Sequence, residues 1–485
     1  MTDIHFHSAT ELARAIQARE YTASELLEMY VTRIEQLDER VNSIVQFDLD
    51  NARAQATAAD AATARGECWG PLHGVPITVK EAFDMVGLPT TFGYESLREN
   101  IATTDAIAVR RLRAAGAVIF GKTNVPVALS DWQTFNPIYG TTNNPWDVTR
   151  TPGGSSGGSA AALAAGFSAL EFGSDIGASI RNPAHYCGVF GHKPTYGICT
   201  TKGHHVPPYD AMPDLDIAVI GPMARSATDL ALALDVIAGA DDIDSIGWQL
   251  RLPPTDKLIL KDFRVGMLVD DPNAEVDQEV QQGLLELVET LRDAGATVDL
   301  GAIPDIDTTD AHTTYLTLLR SATSEWLSDE DFDDHQRRVA ELSTDDNSYE
   351  AAMLRGTTLG HRAWLHAHAE RYRQRHKWAQ YFERYDLLLC PAATTVAFPH
   401  MHEGERWERM MSVNGKPQPT TTPLFWAGYP GNVYLPATVA PLPQGSSGLP
   451  RGVQVVGPQY RDYRCIHFAA LIEQLTGGFK APAGF

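Results

Sequence analysis

The chain is poor in cysteine: 485 residues carry five (Cys68, Cys187, Cys199, Cys390, Cys465), scattered and odd in number. A disulfide scaffold is therefore excluded, and reduced thiols are expected. Long hydrophobic runs are also missing, since no uninterrupted apolar stretch approaches the roughly 20 residues that span a bilayer. The opening MTDIHFHSATELARAIQ has neither the basic start nor the apolar run of a signal peptide. Positive charge is scarce, with 39 Lys and Arg against 61 Asp and Glu, a net charge of −22. That balance disfavours phosphate backbones and anionic membranes as partners. A cytoplasmic protein without nucleic-acid or membrane partners is expected. Charge runs, repeats and linkers that would divide the chain are absent too, so one large domain is expected rather than three beads.

What is there reads as α/β. Over residues 1–65 apolar residues recur at helical spacing (Leu12, Ala15, Ile16; then Leu26, Leu27, Tyr30, Val31, Ile34), implying amphipathic helices. From about residue 66 the texture changes to short β-rich segments, 75–79 and 117–120, alternating with helical stretches such as 105–114. The resulting expectation is a single α/β domain with a central mixed, twisted sheet surrounded by helices, in which residues 66–240 are expected to form the catalytic core. Residues 300–385 read as a polar helical insertion lining a pocket, and a second β-rich phase follows from 386 to 456.

Some apparent motifs carry no chemistry. Residues 116–123, GAVIFGKT, match the phosphate-loop pattern GxxxxGK[ST] formally. However, Ala117, Val118, Ile119 and Phe120 form an apolar, partly β-branched run suited to a buried strand, not to a turn whose N–H groups face phosphate. The histidines at 361, 366 and 368 lack the i, i+4 spacing that puts two rings on one helix face, and the acidic runs at 329–334 and 345–346 suit a solvated surface. No metal or cofactor is expected.

The richest region is TPGGSSGGSAAALAAG (151–166) followed by GSDIGASIRNPAHYCGVFGHKPTYG (173–197). Pro152, Gly153 and Gly154 permit unusual backbone geometry directly before a pair of hydroxyls. A second Gly-containing turn sets Ser179 behind Ile176, Gly177 and Ala178, whose N–H groups together with that of Ser179 could converge as an oxyanion hole. A serine nucleophile needs a base. His185 and His192 are near in sequence, but Lys80, ending the strand-like VPITVK, is the better candidate because burial can keep a lysine neutral. On the residues alone, a Ser/Lys hydrolase and a close-packed structural turn stand level.

With these residues in view, the chain resembles the amidase signature family of serine hydrolases. The likeness rests on several long motifs in the same order: PLHGVPITVKEAFD (71–84), GKTNVP (121–126), the two segments above, GPMARSATDLALALDVIAG (221–239), YDLLLCPA (385–392) and LPRGVQVVGP (449–458). The resemblance implies a Ser-Ser-Lys triad of Ser179 as nucleophile, Ser155 as bridge and Lys80 as base, with a cis peptide bond at Ser155. Ser179 follows Ser155 by the 24 residues of the family pattern. It also implies supporting roles for Ser156, Asp175 and Arg181. One departure stands out, because the family's usual glycine before the nucleophile is Ala178 here.

The function expected from this resemblance is hydrolysis of a small or aryl amide by a stand-alone enzyme, extending to esters or urethanes. The alternative is the glutamine-hydrolysing component of an aminoacyl-tRNA amidotransferase, its A subunit. That component has an ASSNLARYDG-like stretch, and residues 313–333 here, TTYLTLLRSATSEWLSDEDFD, show nothing like it. Trp132, Phe135, Tyr209, Trp426 and Tyr429 are expected as pocket residues, their aromatic weight favouring apolar or aryl acyl groups. A homodimer is compatible with these readings.

Overall fold

The structure, a computed structural model, describes residues 3–206 and 213–485. Helices α1 (Ala9–Gln17) and α2 (Ala23–Leu37) start where Ser8 and Thr22 close capping boxes with Glu11 and Glu25. Each box satisfies N–H groups that the first helical turn leaves without partners. The two helices and α3 (Leu49–Ala64) pack by apolar faces that include Leu12, Leu26, Tyr30 and Ala56. A strand unforeseen in this helical segment, β1 (Ile44–Phe47), lies between α2 and α3. It joins β2 (Pro76–Lys80) and β3 (Val118–Thr123) in a three-stranded sheet of order β1-β3-β2, with α4 (Ile107–Ala114) between β2 and β3 in sequence. The formal phosphate loop is thus largely strand β3, buried along its length. Lys122 of that strand donates to the carbonyl of Pro89 at 2.6 Å and to Thr90 Oγ1 at 3.2 Å.

A short hairpin, β4 (Phe135–Asn136) and β5 (Gly140–Thr141), precedes the second, larger sheet. That sheet is assembled from β6 (Glu171–Asp175), β7 (Phe190–Lys193), β8 (Val219–Ala224), β9 (Arg264–Met267), β10 (Thr297–Leu300), β11 (Leu387–Pro391), β14 (Ala437–Leu442) and β15 (Arg451–Val456). Between β11 and β14 the chain forms a separate hairpin, β12 (Met410–Val413) and β13 (Lys416–Pro419). The order is β10-β9-β11-β15-β14-β7-β8-β6; β9 pairs in parallel with β10 and β11, and the other neighbours are antiparallel. The sheet is mixed, and its central strands β11, β15, β14 and β7 are buried along their whole length, including polar residues such as His192 and Gln454.

Helices α5 (Gly157–Ala165), α6 (Arg181–Cys187), α7 (Ala227–Ile237) and α8 (Gln278–Asp293) belong to this α/β body. Residues 300–385 supply α9 (Thr308–Ala322), α10 (Asp329–Glu341), α11 (Tyr349–Thr357) and α12 (His361–Phe382), and α13 (Leu424–Gly431) and α14 (Asp462–Thr476) complete the chain. Thr78 and Lys80, two apart and so on one face of β2, both reach β6: Thr78 hydrogen-bonds Glu171, and Lys80 hydrogen-bonds Ser174. That junction of the two sheets carries the site.

Candidate active site

Lys80 ends β2 and is fully buried. Its Nζ lies 2.7 Å from Ser155 Oγ, 3.0 Å from Ser156 Oγ and 2.9 Å from Ser174 Oγ. Burial drives its pKa well below the ordinary lysine value, and the Asp175 and Glu81 carboxylates only partly oppose that. A neutral amine has two N–H donors and one lone pair, so three surrounding hydroxyls can take two hydrogen bonds and offer a third.

The two serines come from the turn before α5. Gly153 takes φ +88°, and a Cβ there would lie 2.6 Å from Asn182 Oδ1. The Gly154–Ser155 peptide is cis. Opposite, Gly173 on β6 leaves room for Ser156, whose Oγ a Cβ would approach to 2.5 Å. The Ser156 N–H donates to the Ser179 carbonyl at 3.0 Å, tying this turn to the loop that carries Ser179. Ser155 and Ser179 line one cavity but are not hydrogen-bonded to each other.

Asp175 organises the loop from Ile176 to Ser179. Its carboxylate accepts from the N–H groups of Ala178 (2.9 Å) and Ile180 (3.2 Å), and from Arg181 Nε (2.9 Å) and Nη2 (2.8 Å). Burial opposes its ionisation, yet the Arg181 guanidinium and these donors hold it below the usual carboxylate range. The expected oxyanion hole needs one correction, since the Ala178 N–H is committed to Asp175. The N–H groups of Ile176, Gly177 and Ser179 make no hydrogen bond among the described residues. Their geometry is fixed from outside the sequence segment: Tyr315 on α9 donates to the Ile176 carbonyl at 3.0 Å, and the Trp132 indole donates to the Gly177 carbonyl at 2.7 Å. Ala178 itself takes φ +67°, the left-handed region that a glycine would occupy without strain.

The other candidate bases are engaged elsewhere. His185 lies between the backbones of Gly452 and Thr395, and burial lowers its pKa to about 4. His192 bridges Thr438 and Asp462.

Trp132 lines the cavity, but three of the expected pocket aromatics do not. Trp426 donates its indole N–H to the Ala274 carbonyl within the core, and Tyr429 packs between Trp378 and Phe425. On α13 it is Leu424 that reaches the cavity, and residues two and five positions on point to other faces at 100° per residue. Phe135 stacks on His402, ring centroids 4.0 Å apart, away from the cavity. Tyr209 lies outside the described residues. Sequence reasoning missed Ser174, Tyr315, and two cavity arginines, Arg320 and Arg406. Of these only Ser174, beside Asp175 in the Gly-Ser segment, left a local signal.

Comparison with known proteins agrees with the motifs that carry the site, as the Amidase family profile matches residues 25–466. The chain belongs to the amidase signature family. Among curated relatives, the A subunit of the glutamyl-tRNA(Gln) amidotransferase of Streptomyces coelicolor is 33% identical over 98% of this chain and 96% of its own length. Its counterpart of the same name from Gloeobacter violaceus is 32% identical over 98% of this chain and 97% of its own length. A solved structure from a vestigial protein complex bearing on the origins of an s-triazine catabolic enzyme superposes with TM-score 0.81 at 29% identity, covering 98% of this chain and 99% of that one. A 6-aminohexanoate cyclic dimer hydrolase superposes with TM-score 0.78 at 26% identity, covering 99% of each chain. The protein is an amide-hydrolysing enzyme of this family, and among its described residues no helix is long and apolar enough to cross a membrane.

Proposed function

We propose that the enzyme cleaves its amide C–N bond through an acyl ester on Ser179, with Ser155 and Lys80 moving the protons. The supporting observation is the Lys80 amine, buried and ringed by three serine hydroxyls at the cavity that Ser179 lines. Lys80, neutral, donates to Ser156 and Ser174, and its lone pair takes the Ser155 proton. Ser155 Oγ takes the proton of Ser179, whose Oγ bonds the carbonyl carbon. The new oxyanion is held by the N–H groups of Ile176, Gly177 and Ser179, each good donor being worth roughly 3 kcal/mol in such sites. The C–N bond then breaks as Ser155 returns a proton to the leaving nitrogen. Water next attacks the acyl ester by the same relay, giving the acid and free Ser179. The Ser155 to Ser179 contact closes when substrate seats, as catalytic hydrogen bonds commonly do.

For the substrate, two finer readings stand. The full-length likeness to proteins named for glutamyl-tRNA(Gln) amidotransferase favours glutamine as amide donor over the stand-alone reading. The largely apolar cavity, with Leu129, Trp132, Leu319, Trp326 and Leu424, favours a compact apolar or aryl amide. Ammonia release from L-glutamine and chromophore release from acyl p-nitroanilides, each with the unmodified protein and Ser179→Ala, separate the two. Turnover by the unmodified protein alone supports Ser179; equal turnover by both overturns it.

A further inference from the structure

Most deeply buried arginines of this chain are neutralised in one of two ways. Arg181, Arg371, Arg451 and Arg464 pair with Asp175, Asp216, Glu286 and Asp256, whereas Arg225 donates to the carbonyls of Phe6, His7, Leu163 and Ser168. Arg320, only 8% exposed on α9, has neither. Among the described residues its side chain makes a single hydrogen bond, to the Tyr349 hydroxyl, and its buried Nε makes none. No carboxylate among the described residues lies within ion-pairing distance.

A second cation stands beside it. Arg406 donates to the same Tyr349 hydroxyl at 2.9 Å and to the Ser130 carbonyl, also without a carboxylate among the described residues. The two guanidiniums flank the Tyr349 ring at 5.3 and 5.7 Å. Burial, with the neighbouring Arg406 charge added to it, lowers the Arg320 pKa to about 10. Both line the cavity that Ser155 and Ser179 line. The carboxylates in that cavity are already matched, Asp175 by Arg181 and Asp131 by Arg409. Two adjacent cations without carboxylate partners among the described residues, at the wall of a cavity whose own carboxylates are already matched, are an arrangement that an incoming anion completes. Gly356 of α11 helps to build it, since a Cβ there would lie 2.5 Å from Arg320 Cβ.

We propose that Arg320 and Arg406 form a carboxylate subsite in the substrate cavity, so that the preferred amide carries a carboxylate at a distance from its scissile bond. L-glutamine and the monoamides of dicarboxylic acids both meet that requirement. The inference rests on the reading of Ser179 as nucleophile, but its test includes a measurement independent of turnover.

Two matched pairs of substrates place the charge on either side of the scissile bond. Glutaryl p-nitroanilide is compared with 5-methylhexanoyl p-nitroanilide, in which isopropyl replaces carboxylate, and 4-acetamidobenzoate with 4-isopropylacetanilide. In at least one pair the carboxylate member should be favoured in kcat/KM by about tenfold or more, the worth of one good charge-assisted contact. Arg320→Gln or Arg406→Gln should bring that ratio close to one, chiefly through KM. Separately, glutarate should raise the melting temperature of the unmodified protein and of Ser179→Ala, but not of Arg320→Gln, while 5-methylhexanoate should do less. Neutral members used as well as or better than charged ones, or a melting temperature indifferent to glutarate, overturns the subsite. Stabilisation by glutarate without any turnover retains the subsite and counts against the hydrolytic reading instead.

Discussion

At the scale of single residues, the proposed chemistry depends on Lys80 being neutral and Ser179 being free to react. Lys80 is buried and depressed, so its protonated form, dominant at low pH, has no lone pair to accept the Ser155 proton. Activity should therefore rise with pH through one ionisation and level off above it, and Lys80→Met should abolish the pH-dependent activity in the same assay. Ala178 offers a second test. Its φ of +67° costs about 1 kcal/mol for a residue with a Cβ. Because its N–H already serves Asp175, Ala178→Gly should relieve strain and retain turnover, with a melting temperature equal to or above that of the parent. Loss of activity in that variant would show that the methyl group shapes the substrate cavity. That Lys80, Ser155 and Ser179 come together at one cavity was legible because Gly, Ser and Lys stand in an ordered pattern of local segments. Which N–H groups of the turn stay free was legible only in part: spacing nominated four consecutive N–H groups, but the Asp175 hydrogen bond that engages Ala178 depends on how the turn curls.

At the scale of elements, the site lies where the three-stranded sheet meets β6 of the large one. Glu171 on β6 is buried there against Thr78, and burial raises its pKa to about 7, above the 4.5 of an ordinary glutamate. The folded state thus prefers the protonated carboxyl. Its contribution is fully present below pH 4.5 and is lost as pH rises through about 7. Glu171→Gln should melt higher than the parent at pH 8 by an amount on the order of 3 kcal/mol, and the gap should close near pH 4.5. A parent more stable than the variant at pH 8 would contradict this. Helix α9 reaches the loop from Ile176 to Ser179 through Tyr315, which packs against Gly428 of α13, where a Cβ would lie 2.2 Å from the ring. Tyr315→Phe removes a buried hydrogen bond worth about 1 kcal/mol, so kcat should fall by a few-fold with little change in KM. Periodicity revealed the helices of 300–385 and the strands near 75–79 and 117–120. It did not reveal β1, whose four residues are too few to interrupt the helical pattern, nor the helical phase that turns Trp426 and Tyr429 into the core.

At the scale of the whole molecule, 61 acidic against 39 basic residues leave a charge of −22, whose self-repulsion works against the compact state. Raising salt from low to moderate concentration should increase the melting temperature through screening, and solubility should be least near the isoelectric point of about 5.1. Composition revealed this charge, and alternating segments the α/β class. Neither revealed the local reversal at Arg320 and Arg406, which α9 and the loop before β12 bring together from 86 positions apart. The central claim remains that an acyl group passes through Ser179. Rapid quenching during turnover of an acyl p-nitrophenyl ester, followed by peptide mass spectrometry, tests it most directly. The account predicts an acyl mass on the peptide containing Ser179, absent from Ser179→Ala. Turnover with the acyl group on another side chain, or unaffected by that substitution, would contradict it.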